Sequence, residues 1–400
     1  MSRLQRSISR PLTTRSGTQP RQTILTHEEH FIPASPLSAV STLSEHFSSF
    51  VSLAAGVMED EIAHGSDDQA NFMRNMRDHD LGLWNNSTRP LGEGATFIVR
   101  RFIDGGESIG AVDERIAIKS LRLAYSTQQS QVEHDKKSLA SALLELRILT
   151  HKRVRACENI VRLLGIGWET DAVIFDRKWP ALLVEYADHG TLADLFESQS
   201  VVPPTLKWHL CLDVARALEV LHDLKVVHGD IKLLNVLLFS NPLVEEGPYG
   251  RPVIAKLADF GGALLDMEVL VALPSGTFPW NAPESAQLMQ RNELLWTDVY
   301  SFGMLVWQIW LDGVNPFIAP GAPGYSQALA DNEIEAEKND IQFYRKVRDS
   351  VERHLNELEI QEFGDILHLF DCALPLEPSQ RDLKKIIHLL ESKPIAAART

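Results

Sequence analysis

Between the apolar runs Val226-Val227 and Val236-Leu237-Leu238 the chain places His228-Gly229-Asp230-Ile231-Lys232-Leu233-Leu234-Asn235. Asp, Lys and Asn at positions i, i+2 and i+5 put a carboxylate, an ammonium and an amide on one short loop between strand-like segments, where a core does not accept polar groups without partners. The carboxylate can take the proton of an attacking hydroxyl, the ammonium can offset charge on a transferred phosphoryl group, and the amide oxygen can bind a hard cation. A second acid follows in Lys256-Leu257-Ala258-Asp259-Phe260-Gly261, where Asp259 stands beside a conformationally free glycine and suits a divalent metal that bridges phosphates. His228 reads as a core histidine, because Asp230 already holds the place of the base.

Two earlier segments complete a phosphate-handling set. In Leu91-Gly92-Glu93-Gly94-Ala95-Thr96-Phe97-Ile98-Val99 two glycines let a strand turn bring backbone N–H groups close to phosphate oxygens, although a Gly-x-Gly alone also describes an ordinary hairpin. Ile116-Ala117-Ile118-Lys119 alternates as a strand does, which puts Lys119 on the same face as Ala117. Its functional reading requires a carboxylate partner. Glu145, in the helix-prone segment Gln131 to His151, can hold the ammonium where it neutralises nucleotide phosphates.

The order of elements suggests a small β-rich lobe followed by a larger α-rich one. Strand-like runs fall at Phe97 to Ile103, Arg115 to Leu121, Val161 to Gly167 and Ala181 to Tyr186. Helical patterns fall at Trp208 to Leu224, Trp296 to Leu311, Glu333 to Leu358 and Phe363 to Leu374, and Asn315 to Tyr325 reads as a surface loop. Residues 1–40, rich in Ser, Thr, Pro and Arg, bury too little to offset chain entropy and are expected to be disordered, while Leu37 to His64 has loose helical spacing. The arginine-containing, acid-free start before Glu28 is also the pattern of an organellar leader, against which stands the simpler reading of a solvated tail.

A net charge of −15 argues against general affinity for nucleic acid, and no apolar run is long enough to predict a membrane span. Cys157, Cys211 and Cys372, without CxxC spacing, fit a reducing compartment, and the expected location is cytoplasmic or nuclear.

Taken in order, the glycine loop, Ile-Ala-Ile-Lys, the helix glutamate, His-Gly-Asp-Ile-Lys-Leu-Leu-Asn, Asp-Phe-Gly and Ala282-Pro283-Glu284 resemble the signature set of the eukaryotic protein kinase family, over about three quarters of the chain. The resemblance implies an α+β bilobal fold: an extension over 1–85, a small lobe and hinge over 86–187, a larger lobe over 188–393 and a tail over 394–400. It implies a serine/threonine kinase using ATP and Mg2+ on protein substrates, with Asp230 as base, Lys232 at the transferred phosphate, Lys119 on the α and β phosphates and Glu145 fixing it. Asn235 and Asp259 would hold the metal. Leu91, Gly92, Gly94, Val99, Ala117 and Leu237 would line the nucleotide site, with backbone groups of Glu185 and Ala187 on adenine and Val184 guarding the inner pocket. Asp298 would tie down the loop backbone, Arg381 would pair with Glu284, and Lys232 with Gly276-Thr277 matches the serine/threonine branch.

Two positions depart from the pattern. Phe97 replaces the third glycine, and it either stiffens the loop over the phosphates or packs into the lobe beneath. Gly229 replaces the arginine that clamps an activation-loop phosphate. These departures keep a nucleotide-binding scaffold without catalysis as the rival reading. The segments Tyr125 to Lys137 and Ser240 to Pro252 read as exposed insertions. Between Asp259 and Glu284 only Ser275 and Thr277 are phosphorylatable. Without the arginine fork, unphosphorylated recombinant protein should already be active. A preparation that gains its activity only after treatment with an upstream kinase would contradict this.

Overall fold

The computed structural model describes residues 48–55, 88–94, 96–102, 115–122, 129–170, 178–199, 201–241, 253–265, 273, 276–315, 317 and 329–392. The expectations for residues 1–40, for most of the second insertion and of the loop after Asn315, and for Ser275 lie outside them, whereas the first insertion is corrected: from residue 129 on it is the opening of a long helix, with Asp135 buried.

Five strands, β1 (Thr88–Glu93), β2 (Phe97–Phe102), β3 (Ile116–Leu121), β4 (Leu163–Thr170) and β5 (Lys178–Glu185), form one antiparallel sheet in the order β1-β2-β3-β5-β4. β1 escaped the sequence reading because Arg89, Pro90 and Gly92 interrupt its alternation. β3 is buried along its whole length because both of its faces are covered. Ile116 and Ile118 join Phe102, Ala181 and Leu183 in a small core on one face. Ala117 and Leu121 belong with Phe97, Leu182 and Val184 to the large core on the other. The two-residue period of the strand therefore commits Lys119 to the large-core face, opposite Val99 and Leu182.

That large core also takes in helix α2 (Gln129–Leu149), through Leu139, Leu143 and Leu146, each at most 1% exposed. A short helix α1, residues 48–55, joins the same core with Phe50, Leu53 and Ala54, one face at i, i+3 and i+4. The Phe50 ring meets Trp168 of β4 edge-on at 6.3 Å. This is the described part of the helical pattern expected between Leu37 and His64.

After α3 (Lys152–Arg155) and the sheet, the chain becomes helical with α4 (Leu192–Ser198) and α5 (Pro204–Asp223). Pro204 opens α5, a position where its missing N–H costs nothing. Leu210, Cys211, Val214, Ala215, Ala217, Leu218 and Leu221 of α5 are wholly buried, and the Trp208 indole donates to the Leu390 carbonyl at 2.8 Å. A two-stranded antiparallel ribbon, β6 (Val236–Ser240) and β7 (Val253–Leu257), lies on α5, whose buried Asp213 accepts the Ala255 N–H at 2.9 Å. Helix α6 (Arg291–Trp310) packs against α5.

The single helical stretch expected from Glu333 to Leu358 is corrected to α7 (Asp331–Lys338), α8 (Phe343–His354) and the start of α9 (Glu357–Phe363). The breaks fall where short polar side chains bind local backbone instead of extending the helix: Asp340 accepts from Gln342 N–H, and Asn356 caps α9 by accepting from Leu358 and Glu359. Helices α10 (Ile366–Ala373) and α11 (Leu383–Glu391) complete the larger lobe. Among the described residues no helix is long and apolar enough to cross a membrane.

If α1 is an integral part of the small lobe, Phe50→Ala should cost about 3 kcal/mol in denaturant unfolding. Val51→Ala, at a position 38% exposed on the same helix, should stay within about 0.5 kcal/mol of wild type.

Candidate active site

The sheet and α2 meet at one buried ion pair. Lys119 Nζ stands 2.6 and 2.8 Å from the two oxygens of Glu145, whose side chain is fully buried, and 3.4 Å from Asp259 Oδ1. Burial opposes the charge on Lys119, but Glu145 and then Asp259 outweigh it and hold the ammonium above its ordinary pKa. The Phe97 ring covers the same ammonium at 4.5 Å and is 4% exposed. Of the two roles considered for Phe97, the structure gives packing into the lobe. One turn before Glu145, Ser141 Oγ donates to the Gly261 carbonyl at 2.8 Å and binds α2 to the segment after Asp259.

Asp259 has φ of 68°, a left-handed conformation that Asp tolerates better than most residues. Its neighbour Ala258 is pinned on both sides: its N–H donates to Asn235 O at 2.9 Å and its carbonyl lies 3.0 Å from His228 Nε2. His228 is wholly buried, with its ring against Phe260. The Asp259 carboxylate itself is half exposed and lies beside Lys119.

The loop read first in the sequence closes into a tight cluster. Lys232 Nζ donates to Asp230 Oδ2 and to Thr277 Oγ1, both at 2.7 Å, and Thr277 Oγ1 donates to Asp230 Oδ1 at 2.6 Å. Asn235 Nδ2 donates to the Asp230 carbonyl at 2.7 Å and to its Oδ2 at 3.1 Å. Burial pushes the Asp230 carboxyl up, but the bonds from Lys232 and Thr277 and the nearby ammonium hold it below the usual carboxylate range. Asp230 is thus ionised at neutral pH.

The backbone of this loop is held from below. Asp298 on α6, 1% exposed, accepts the N–H of His228 at 2.8 Å and of Gly229 at 2.9 Å, while His222 Nε2 lies 3.1 Å away. Gly229 has φ of 78°, so the position that lacks the arginine also adopts a turn that glycine makes without strain. Arg381 pairs with both oxygens of Glu284 and donates to the Trp296 and Pro375 carbonyls.

The other residues singled out by sequence lie on the sheet, just beyond the ends of β1 and β5 and on the ribbon. Val99 and Leu237 pack against the large core that contains Ala117, and Leu91, within β1, is 46% exposed. Space around Gly92 is open, whereas the Gly94 N–H is taken by Phe97 O at 2.8 Å. Glu185 spends its carboxylate on Lys256 at 2.7 Å and Arg162 N–H at 2.8 Å, its own N–H donates to the Arg162 carbonyl at 3.1 Å, and the Ala187 carbonyl accepts the Gly190 N–H at 3.2 Å. Val184 is buried. Ser141 and the two hydrogen bonds of the Thr277 hydroxyl were not foreseen, because a serine inside a helix and a threonine in a loop carry no periodic signal.

A two-lobed fold that bonds Asp259 to Lys119 beside Glu145 and gathers Asp230, Lys232 and Asn235 on one loop defines a phosphotransferase architecture. The protein kinase domain model matches residues 86–388, and the chain belongs to the protein kinase family. It is 30% identical to serine/threonine-protein kinase unc-51 of Caenorhabditis elegans over 234 residues, covering 58% of this chain and 24% of that protein. Against wall-associated receptor kinase 5 of Arabidopsis thaliana it is 28% identical over 317 residues, 77% of this chain and 37% of that one. Against fibroblast growth factor receptor 2 of Dugesia japonica it is 26% identical over 266 residues, 62% and 26% respectively. The chain therefore spans well under half the length of these relatives.

Asp298→Asn would turn an N–H donor toward the loop in place of one acceptor oxygen. The expected loss is about 3 kcal/mol in chemical unfolding, because loop amides remain buried against it.

Proposed function

We propose that the chain is an ATP-dependent serine/threonine protein kinase. The observation that carries this reading is the Asp230 carboxylate, ionised and gripped by Lys232, Thr277 and Asn235, on the loop that leads through β6 and β7 to Asp259 and Lys119. In this reading Asp230 orients the substrate hydroxyl and accepts its proton as the oxygen bonds to the γ-phosphorus and the β–γ bridging bond breaks. Lys232, already beside Asp230, offsets charge on the group in transfer. Lys119, fixed by Glu145, meets the α and β phosphates.

Asn235 and Asp259 offer oxygen ligands suited to Mg2+, which would neutralise the phosphates when bound with ATP. Among the described residues no group of three or more His, Cys, Asp and Glu is arranged as a closed metal site. The threonine hydroxyl bridging Asp230 and Lys232, with unc-51's own description as a serine/threonine kinase, supports Ser/Thr hydroxyls as acceptors. Three free cysteines favour a reducing setting, cytoplasmic or nuclear. The two departures that motivated a scaffold are both accommodated, Phe97 in the core and Gly229 in its left-handed turn.

Purified protein with Mg-ATP and myelin basic protein should transfer phosphate to serine and threonine. The Asp230→Asn variant should lose at least about 100-fold in kcat. Wild-type transfer no greater than the variant's would favour the scaffold, and phosphotyrosine as the product would overturn the acceptor assignment.

A further inference from the structure

Lys338, the last residue of α7, is 3% exposed, yet among the described residues it makes no ion pair within bonding distance. Its ammonium donates to the Pro279 carbonyl at 2.9 Å, to the Asn281 carbonyl at 2.6 Å and to Asn281 Oδ1 at 3.4 Å, nearly sixty residues back in the chain. The Phe278 and Tyr300 rings lie over it at 5.3 and 5.8 Å. Burial lowers the Lys338 pKa to about 8, with Glu284 and Glu335 acting against it. An ammonium buried at such cost is tolerable because acceptors replace its water.

Those acceptors belong to the turn that carries Thr277. Trp280 N–H and Asn281 N–H both return to the Thr277 carbonyl, at 2.8 and 3.2 Å, which leaves the carbonyls of 279 and 281 directed at α7. Thr277 in turn holds Asp230 and Lys232. The segment 276–284 is therefore tied at one end to the loop of Asp230, at the other by Glu284 to Arg381, and in its middle to Lys338.

We propose that Lys338 is a positioning residue for protein substrates: its ammonium orders segment 276–284 from the side of α7, so that this platform is formed without a phosphate and an arginine at position 229. The substrate part of this inference rests on the kinase reading above. The ordering part does not.

Hydrogen–deuterium exchange on the full chain, followed over residues 276–287, tests the ordering in wild type, Lys338→Met and Lys338→Arg. Lys338→Met, which keeps the stem and loses the donors, should exchange about tenfold faster in this segment, with α2 and β3 unchanged. Lys338→Arg should fall between the two. In steady-state assays Lys338→Met should raise KM for myelin basic protein about tenfold and leave KM for ATP at the wild-type value. Exchange unchanged over 276–287, or accelerated equally throughout the chain, overturns the proposal. An unaltered protein-substrate KM beside faster exchange overturns the positioning role. A wild type that transfers no phosphate overturns the kinase reading instead, and the exchange pattern still decides whether Lys338 holds the segment.

Discussion

The contact of Lys119 with Glu145 is the constraint around which the small lobe is arranged. Two opposite charges are removed from water, and their attraction compensates only if each is held at bonding distance from the other. That requirement fixes the register of β3 against its neighbours, the rotation of α2 about its axis and the depth at which the helix lies on the sheet. Ser141, one turn earlier on the same side of α2, extends the constraint to Gly261 and so to the backbone next to Asp259. An alanine at 261 would meet Ser141 Oγ at 2.2 Å, so the approach depends on glycine there. The chemistry-bearing acid and the helix glutamate thus sit on parts of the chain that cannot move independently.

The larger lobe uses the same principle with different groups. Asp298, Arg381, Glu284 and Lys338 are each nearly buried, and each spends its charge on backbone groups or on a partner from a distant part of the sequence. Such groups add little net stability when paired, but any alternative packing would strand them. They select one arrangement of the loops that α6 and α7 support.

Legibility from sequence followed periodicity and spacing. The strands β2 to β5 and the helices α2, α5 and α6 were visible because one or both faces repeat at regular intervals. Lys119, Glu145, Asp230, Lys232, Asn235 and Asp259 stood out because charged and amide groups interrupt apolar runs at ordered intervals, and the structure bonds Lys119 to Glu145 and Asp259, and Asp230 to Lys232 and Asn235. The division of 333–358 into three helices was not legible, since Asn339-Asp340 and Asn356 act through side-chain bonds to local backbone that amphipathic spacing does not register. Lys338 was equally hidden. On a helix whose other residues are mostly charged, a lysine looks solvated until the turn at 277–281 is seen beneath it.

The docking of α1 bears on where this domain ends as a folding unit. The family match begins at residue 86, yet Phe50 fills a place against Trp168 that residues 86–388 do not fill. A fragment trimmed to the matched region would present that aromatic surface to solvent. Its tendency to self-associate would then reflect a missing piece of its own interior, and give no information about partners of the intact chain.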